Sequence, residues 1–458
     1  MQPGWPPDVL PPSVWSPDLH EDMEVAMRTM WKQARNLAEA TPPERDRYID
    51  FLRLFSIAIV VIGHWLMAVI VVRDGELVVD HLLVVEPRIQ YSTWILQVMP
   101  IFFIVGGFAN SVSWAASRER GSSYSSWLQA RTARLLRPTA VFATVWAAAA
   151  LVLNGTGIDR ELLRPGTQVV AGPLWFLAVY MGVVALAPLM VGLDRRFGWA
   201  IPIGLLGAAG IVDWLHHGLG VPVVGWVNFL FVWLGIHQLG VRWQRGAVGG
   251  GRIGASVVAL VGLAALLALT VSGRYPVSMV GVPGAEPTNN LPPTVALMML
   301  AVFQMGLILA LRSAVARWLE RPTVWSAVIL GNGRIMTIYL WHMTAMVAVI
   351  SLGLLLGGVG LGIEPLSGGW WWSRPVWFGV LLLPLAGLIA LFGRQEQNRT
   401  SRPVAKLAVG VGFPTVMWGF SSLALNGFVT AGAVALMPAA AVTVGSWTLG
   451  VRLWARRS

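Results

Sequence analysis

Cysteine is absent from the 458 residues, which excludes disulfides and thiolate metal sites. Charge is scarce as well: only 12% of residues are Asp, Glu, Lys or Arg, and lysine occurs only at positions 32 and 406. The first 46 residues lack the basic start, short apolar core and small-residue cleavage site of a signal peptide. What is abundant is apolar surface, with 56% hydrophobic residues, 50 Gly and 24 Trp. A soluble protein of this length could not cover so much of it. Repeated apolar runs near the length needed to cross a bilayer predict an all-α, polytopic transmembrane helix bundle. The net charge of +11 would suggest nucleic acid elsewhere. Here the arginines sit in short loops between apolar runs, which reads as topology and headgroup contact, with membrane lipids and not nucleic acid as partners.

Twelve spans are predicted, at 51–72, 92–115, 138–154, 172–192, 199–215, 224–241, 253–272, 292–312, 328–351, 374–392, 404–424 and 428–449. They divide into about ten core spans and a two-helix C-terminal extension. Arginines outside the predicted cytoplasmic segments are few: Arg73, Arg88, Arg160, Arg164, Arg274 and Arg374 in outer loops, with Arg53 and Arg334 inside spans. The positive-inside rule therefore puts both termini in the cytoplasm of a multi-pass protein of the bacterial inner (plasma) membrane. Residues 1–46 form a cytoplasmic tail in which 18–40 predict a partly apolar helix, and Thr41-Pro-Pro-Glu44 reads as an N-cap and capping box. Residues 47–392 are the membrane core, and 393–458 the extension with a basic tail. The longest cytoplasmic connection, 116–137, carries Arg118, Arg120, Arg131, Arg134 and Arg137. Frequent Ala, Gly and Arg point to a GC-rich bacterial genome.

The first span holds an expensive stripe. Arg53 and His64 are eleven residues apart, which is three helical turns to within about 20°, so both project from one face about 16 Å apart along the axis. Asp50 lies within about 40° of His64 on the same wheel. Ionisable groups at membrane depth face cavities and do chemistry or transport. His342 is the other histidine deep in an apolar run. His20, His81, His216 and His217 fall in loops or at an outer helix end, and His237 lies close enough to the end of its span to bond a backbone carbonyl. A neutral imidazole suits the removal of a hydroxyl proton. No Ser or Cys stands beside a second His for a covalent triad. His64 and His342 have no third ligand at recognisable spacing, so no metal is expected. Arg131, Arg134 and Arg137 recur at three-residue spacing and form a phosphate clamp if they share a mouth. Gly106-Gly107 allows close helix approach, and Trp175-Phe176 reads first as interfacial belt. Two classes of function fit the stripe: an enzyme with a buried base, or a twelve-span transporter or flippase moving a proton or anion.

Five short motifs, in order, decide between them by resemblance. They are Arg47-x-x-Asp50-x-x-Arg53 followed by His64, Phe102-Phe103-Ile-x-Gly-Gly107-Phe108, Arg131-x-x-Arg134-x-x-x-Pro138, Leu174-Trp175-Phe176-Leu177, and Gly331 followed by Tyr339-Leu340-x-His342. Together they resemble the membrane-bound acyltransferase family 3 over about residues 45–392. The resemblance implies transfer of an acyl group, commonly acetyl, from acyl-CoA to a hydroxyl of a sugar, cell-envelope glycan or glycolipid. It implies His64 as the catalytic histidine, with His342 and Tyr339 in the same cavity. By the same resemblance Arg53, Arg131 and Arg134 would help hold the CoA donor; Arg137, from the same arginine series, is expected beside them, and Asp50, Trp175 and Phe176 are expected to face substrate. Two departures stand out: Gly106 occupies a position where the family usually has a small hydroxyl, and Gly333-Arg334-Ile335 replaces a serine before the Tyr-x-x-His pattern. No esterase-like domain follows, so a step beyond the membrane would need a partner protein.

Overall fold

Asp46, rather than Thr41, starts the first long helix, because its carboxylate accepts from the backbone N–H groups of Tyr48 and Ile49 while Arg312 pairs with its other oxygen at 2.9 Å. Thr41 is occupied elsewhere: its hydroxyl donates to the Leu37 carbonyl and accepts from the Trp325 indole. The computed structural model describes residues 29, 31–42, 45–73, 76–397 and 403–451. Of the helix expected over 18–40, residues 31–39 are helical, and 18–28 and 30 lie outside the described residues, as do Pro43 and Glu44.

Among the described residues, ten helical stretches are long and apolar enough to cross a membrane, nine before residue 393 and one after it. In chain order the helices are α1 (Arg47–Met67), α2 (Met99–Glu119), α3 (Tyr124–Gly155), α4 (Arg160–Ala171), α5 (Leu174–Phe197), α6 (Ala200–Asp213), α7 (Asn228–Gln244), α8 (Gly251–Val271), α9 (Val295–Leu319), α10 (Pro322–Asn332), α11 (Ile335–Leu355), α12 (Gly368–Phe392), α13 (Lys406–Asn426) and α14 (Leu436–Thr448). Two of the twelve expected spans are not among these ten. The 199–215 segment gives α6, whose 14 residues run on from Asp213 as a π-helical turn, Trp214–Gly218, that carries His216 and His217, and 428–449 gives α14 at 13 residues. At 1.5 Å per residue α14 is about 20 Å long, against about 30 Å of hydrocarbon.

Three boundaries differ from the sequence expectation for physical reasons. The supposed loop 116–137 is almost all helix, because α2 runs to Glu119 and Ser123 caps α3 by accepting from Ser126 N. α3 continues through Pro138, where the Thr139 hydroxyl donates to the Leu135 carbonyl beside the break, so the arginines lie on the spanning helix itself. The first span ends at Met67 rather than 72. Val69-Ile-Val-Val72 is a β-branched run, and it forms strand β1 (Ala68–Arg73), paired antiparallel with β2 (Glu76–His81) so that Ala68 faces His81.

Glycine sets the tightest crossing. A Cβ at Gly107 would overlap the His237 carbonyl oxygen, and one at Gly240 the Ile104 carbonyl oxygen, so α2 and α7 touch backbone to backbone. α13 and α14 are bonded to the rest of the bundle: Gln129 donates to the Leu449 carbonyl at 2.9 Å and Gln168 to the Leu425 carbonyl at 3.2 Å. Phe428, between them, is fully buried against Trp146 and Phe142.

Candidate functional site

α1 carries Arg53 six residues from its start and His64 three residues from its end. The Asn332 side chain bonds the Asp50 carbonyl, which sets the beginning of α11 level with the Asp50 turn. His342, in the first half of α11, therefore meets His64. Their facing nitrogens, His64 Nδ1 and His342 Nε2, are 2.8 Å apart, and the ring planes differ by 5° with centroids 5.1 Å apart. With so short a link, that centroid spacing is reached only when the rings lie end to end in one plane, which is hydrogen-bond geometry and not stacking. His342 is fully buried, and the Trp65 indole donates to its carbonyl at 3.0 Å. His64 is exposed, although it lies across the helical wheel from Ala58 and Ile62, which are exposed on the lipid side of α1. Its open face is therefore inside the bundle.

The other expected residues fall into two groups. Tyr339 donates its hydroxyl to the Pro173 carbonyl at 2.6 Å, tying the Tyr-x-x-His turn to the start of α5. Phe176, two residues into that helix, packs edge-on to the Tyr339 ring. Phe176 and the half-buried Trp175 belong to an interior cluster with Phe102, Phe103, Tyr180 and Trp233, not to an interfacial belt. Gly106 is part of the same fit: a Cβ there would stand 3.2 Å from the Tyr180 ring, which fills the space a larger residue would need.

At the Arg53 end, Asp50 is bonded by Arg45 at 2.6 Å and approached by Arg53 at 3.8 Å. A cavity of about 220 Å³ opens at that side of α2 and α3, lined by Ser113, Ser117, Ser126, Arg120, Arg131 and Arg134 among others. Arg137 is buried farther along α3 and does not line it, so the three-residue series does not share one mouth. Arg53 and Tyr180 lie within electrostatic reach of Arg131.

Asn110 and His237 complete a polar chain that the sequence reading missed. Arginine only donates, so the Asn110 oxygen faces Arg131 Nε at 2.9 Å and its amide nitrogen faces His237 Nε2 at 3.2 Å. That leaves a second guanidinium nitrogen of Arg131 buried without a partner. His237 thus bonds a side chain rather than the backbone carbonyl expected for it. His81 was also passed over as a loop residue. The hairpin puts it opposite Ala68, one turn beyond His64, and close enough for the two imidazoles to influence each other. Burial pushes the His81 imidazole below its ordinary range, against the pull of Asp80, and its Nδ1 accepts from Leu83 N. The β-branched run 69–72 and the Asp-Gly sequence at 74–75 were the signals of that placement.

Compared with known proteins, the family model described as Acyltransferase domain matches residues 46–394. No curated protein and no solved structure matches the chain.

Proposed function

The chain belongs to the acyltransferase 3 family and is a multi-pass membrane acyltransferase, and we propose that it moves an acyl group, acetyl in the first instance, from cytoplasmic acyl-CoA to a hydroxyl of a sugar, cell-envelope glycan or glycolipid. The observation that carries this reading is His64: an imidazole open to the interior of the bundle, on the same helix face as Arg53. The Ser/Arg cavity supports the donor end. Guanidinium forks and hydroxyls suit phosphates, and Arg120, Arg131 and Arg134 line the cavity beside Ser113, Ser117 and Ser126.

In this mechanism Arg120, Arg131 and Arg134 hold the phosphates while Arg53 steers the thioester towards His64. Nε2 of His64 takes the acceptor hydroxyl proton as the oxygen attacks the thioester carbon. The new C–O bond forms, the C–S bond breaks, and the departing thiolate recovers that proton from His64. Bringing both substrates within reach of His64 removes the entropic cost of a bimolecular encounter. Tyr339, Trp175 and Phe176 shape the wall against which the acyl chain lies. The termini are cytoplasmic and the protein sits in the inner membrane, so the CoA pool meets the arginine end.

Transfer of label from radiolabelled acetyl-CoA into the glycan or glycolipid fraction of membranes containing the protein tests this reading. Lipid and glycan profiles of a deletion strain then identify the acceptor through one missing acyl group.

A further inference from the structure

The hydrogen bonds around His342 are directional enough to fix which proton sits where. A backbone carbonyl can only accept, so His342 Nδ1, 2.6 Å from the Tyr339 carbonyl oxygen, must carry a hydrogen and donate it. A neutral imidazole has one N–H, so His342 Nε2 is bare. The partner across the 2.8 Å link, His64 Nδ1, must then supply the hydrogen. His64 has no hydrogen left for its Nε2, whose lone pair is the free one.

From this chain of bonds we propose that His342 is a positioning residue that sets the tautomer of His64: it accepts from Nδ1–H, and so aims the basic Nε2 at the acceptor hydroxyl. The proposal rests on His64 being the base. When His64 takes a proton at Nε2 it becomes a double donor, and its Nδ1–H still points at the bare His342 Nε2, so the relay bond persists through the step. His342 itself stays neutral, its one hydrogen held by Tyr339 O. The coplanar rings give that bond its direction. The Trp65 indole on the His342 carbonyl and the Tyr339 hydroxyl on the Pro173 carbonyl fix the α11 turn that carries it. His342 Nε2 is the acceptor that holds His64 Nδ1–H. Without His342 the Nε2–H tautomer becomes equally available, and that form is no base towards the hydroxyl.

The test compares His342→Gln with His342→Leu in the purified full chain, with acetyl-CoA as donor and the unfolding temperature as the fold control. The glutamine Oε1 can accept from His64 Nδ1–H, whereas leucine fills the space and accepts nothing. We expect His342→Leu to lose kcat roughly 100-fold or more with KM for acetyl-CoA unchanged, and His342→Gln to recover most of it. Equal kcat in His342→Leu and the unaltered protein, or equal losses in both folded variants, overturns the proposal. Should His342→Leu not fold, nitrogen NMR of the unaltered protein with isotope-labelled histidine decides, the His64 signals being assigned through His64→Gln. A protonated, pyrrole-type Nδ1 and a bare, pyridine-type Nε2 are expected, and the reverse pattern overturns the assignment. Activity in folded His64→Ala would instead overturn the reading of His64 as base, so the two failures are told apart.

Discussion

Asn110 accepts a hydrogen bond from Arg131 Nε at 2.9 Å and thereby holds the guanidinium against the inner wall of the Ser/Arg cavity. Removing that acceptor leaves a buried charged donor unpaired, which costs about 1–3 kcal/mol. In Asn110→Leu the KM for acyl-CoA is expected to rise by roughly 5- to 150-fold, with kcat little changed. Asn110→Asp keeps an acceptor facing Arg131, and its KM is expected to stay near that of the unaltered protein. Steady-state kinetics over a range of acetyl-CoA concentrations check both.

The α2–α7 crossing depends on two absent side chains. Gly240→Ala and Gly107→Ala each push a methyl into a facing backbone carbonyl and are expected to destabilise the bundle by about 1–3 kcal/mol or more. Gly192→Ala, on α5 with nothing within 4 Å, is the control and leaves the unfolding temperature unchanged or slightly raised. Thermal unfolding in detergent reads all three. Gly106→Ser falls between them, since only the Tyr180 ring has to move, by a few tenths of an ångström.

Glu396 caps α11 from outside the membrane spans: its carboxylate accepts from the backbone of Met336 and Thr337 and from the Thr337 hydroxyl, each at 3.0 Å. Burial raises its pKa above the ordinary carboxylate range despite those bonds and the Arg334 charge. The folded protein therefore binds this proton more tightly than the unfolded chain does. Its contribution to stability is complete below the ordinary glutamate pKa and is lost as pH climbs through the raised one. An unfolding midpoint measured against pH should show that loss in the unaltered protein and not in Glu396→Gln. Glu396→Ala, which removes the cap altogether, should lower stability by about 1 kcal/mol.

Much of this was legible in the sequence. Apolar runs located most spans, and the eleven-residue interval put Arg53 and His64 on one face because helical geometry leaves no other option. The helix ends were harder to read. Thr41 looked like a cap until Asp46 found a partner in Arg312, 266 residues away. The β-branched run after Met67, followed by Asp74-Gly75, was a hairpin signal hidden inside what scanned as continuous membrane hydrophobicity. Arg137 kept the rhythm of Arg131 and Arg134, yet it is buried away from their cavity, since spacing cannot say which neighbour a helix face meets. The Asn110–His237 chain was not visible at all. Its members are 127 residues apart and come together through the glycine crossing.

The central claim is that His64 is the base of an acyl-CoA-dependent transfer. The most direct measurement is label transfer from radiolabelled acetyl-CoA to the membrane acceptor by the full chain and by His64→Ala, with the unfolding temperature measured on both. The account predicts that His64→Ala unfolds at the temperature of the unaltered protein and transfers nothing above background. Transfer at the unaltered rate by folded His64→Ala would contradict it.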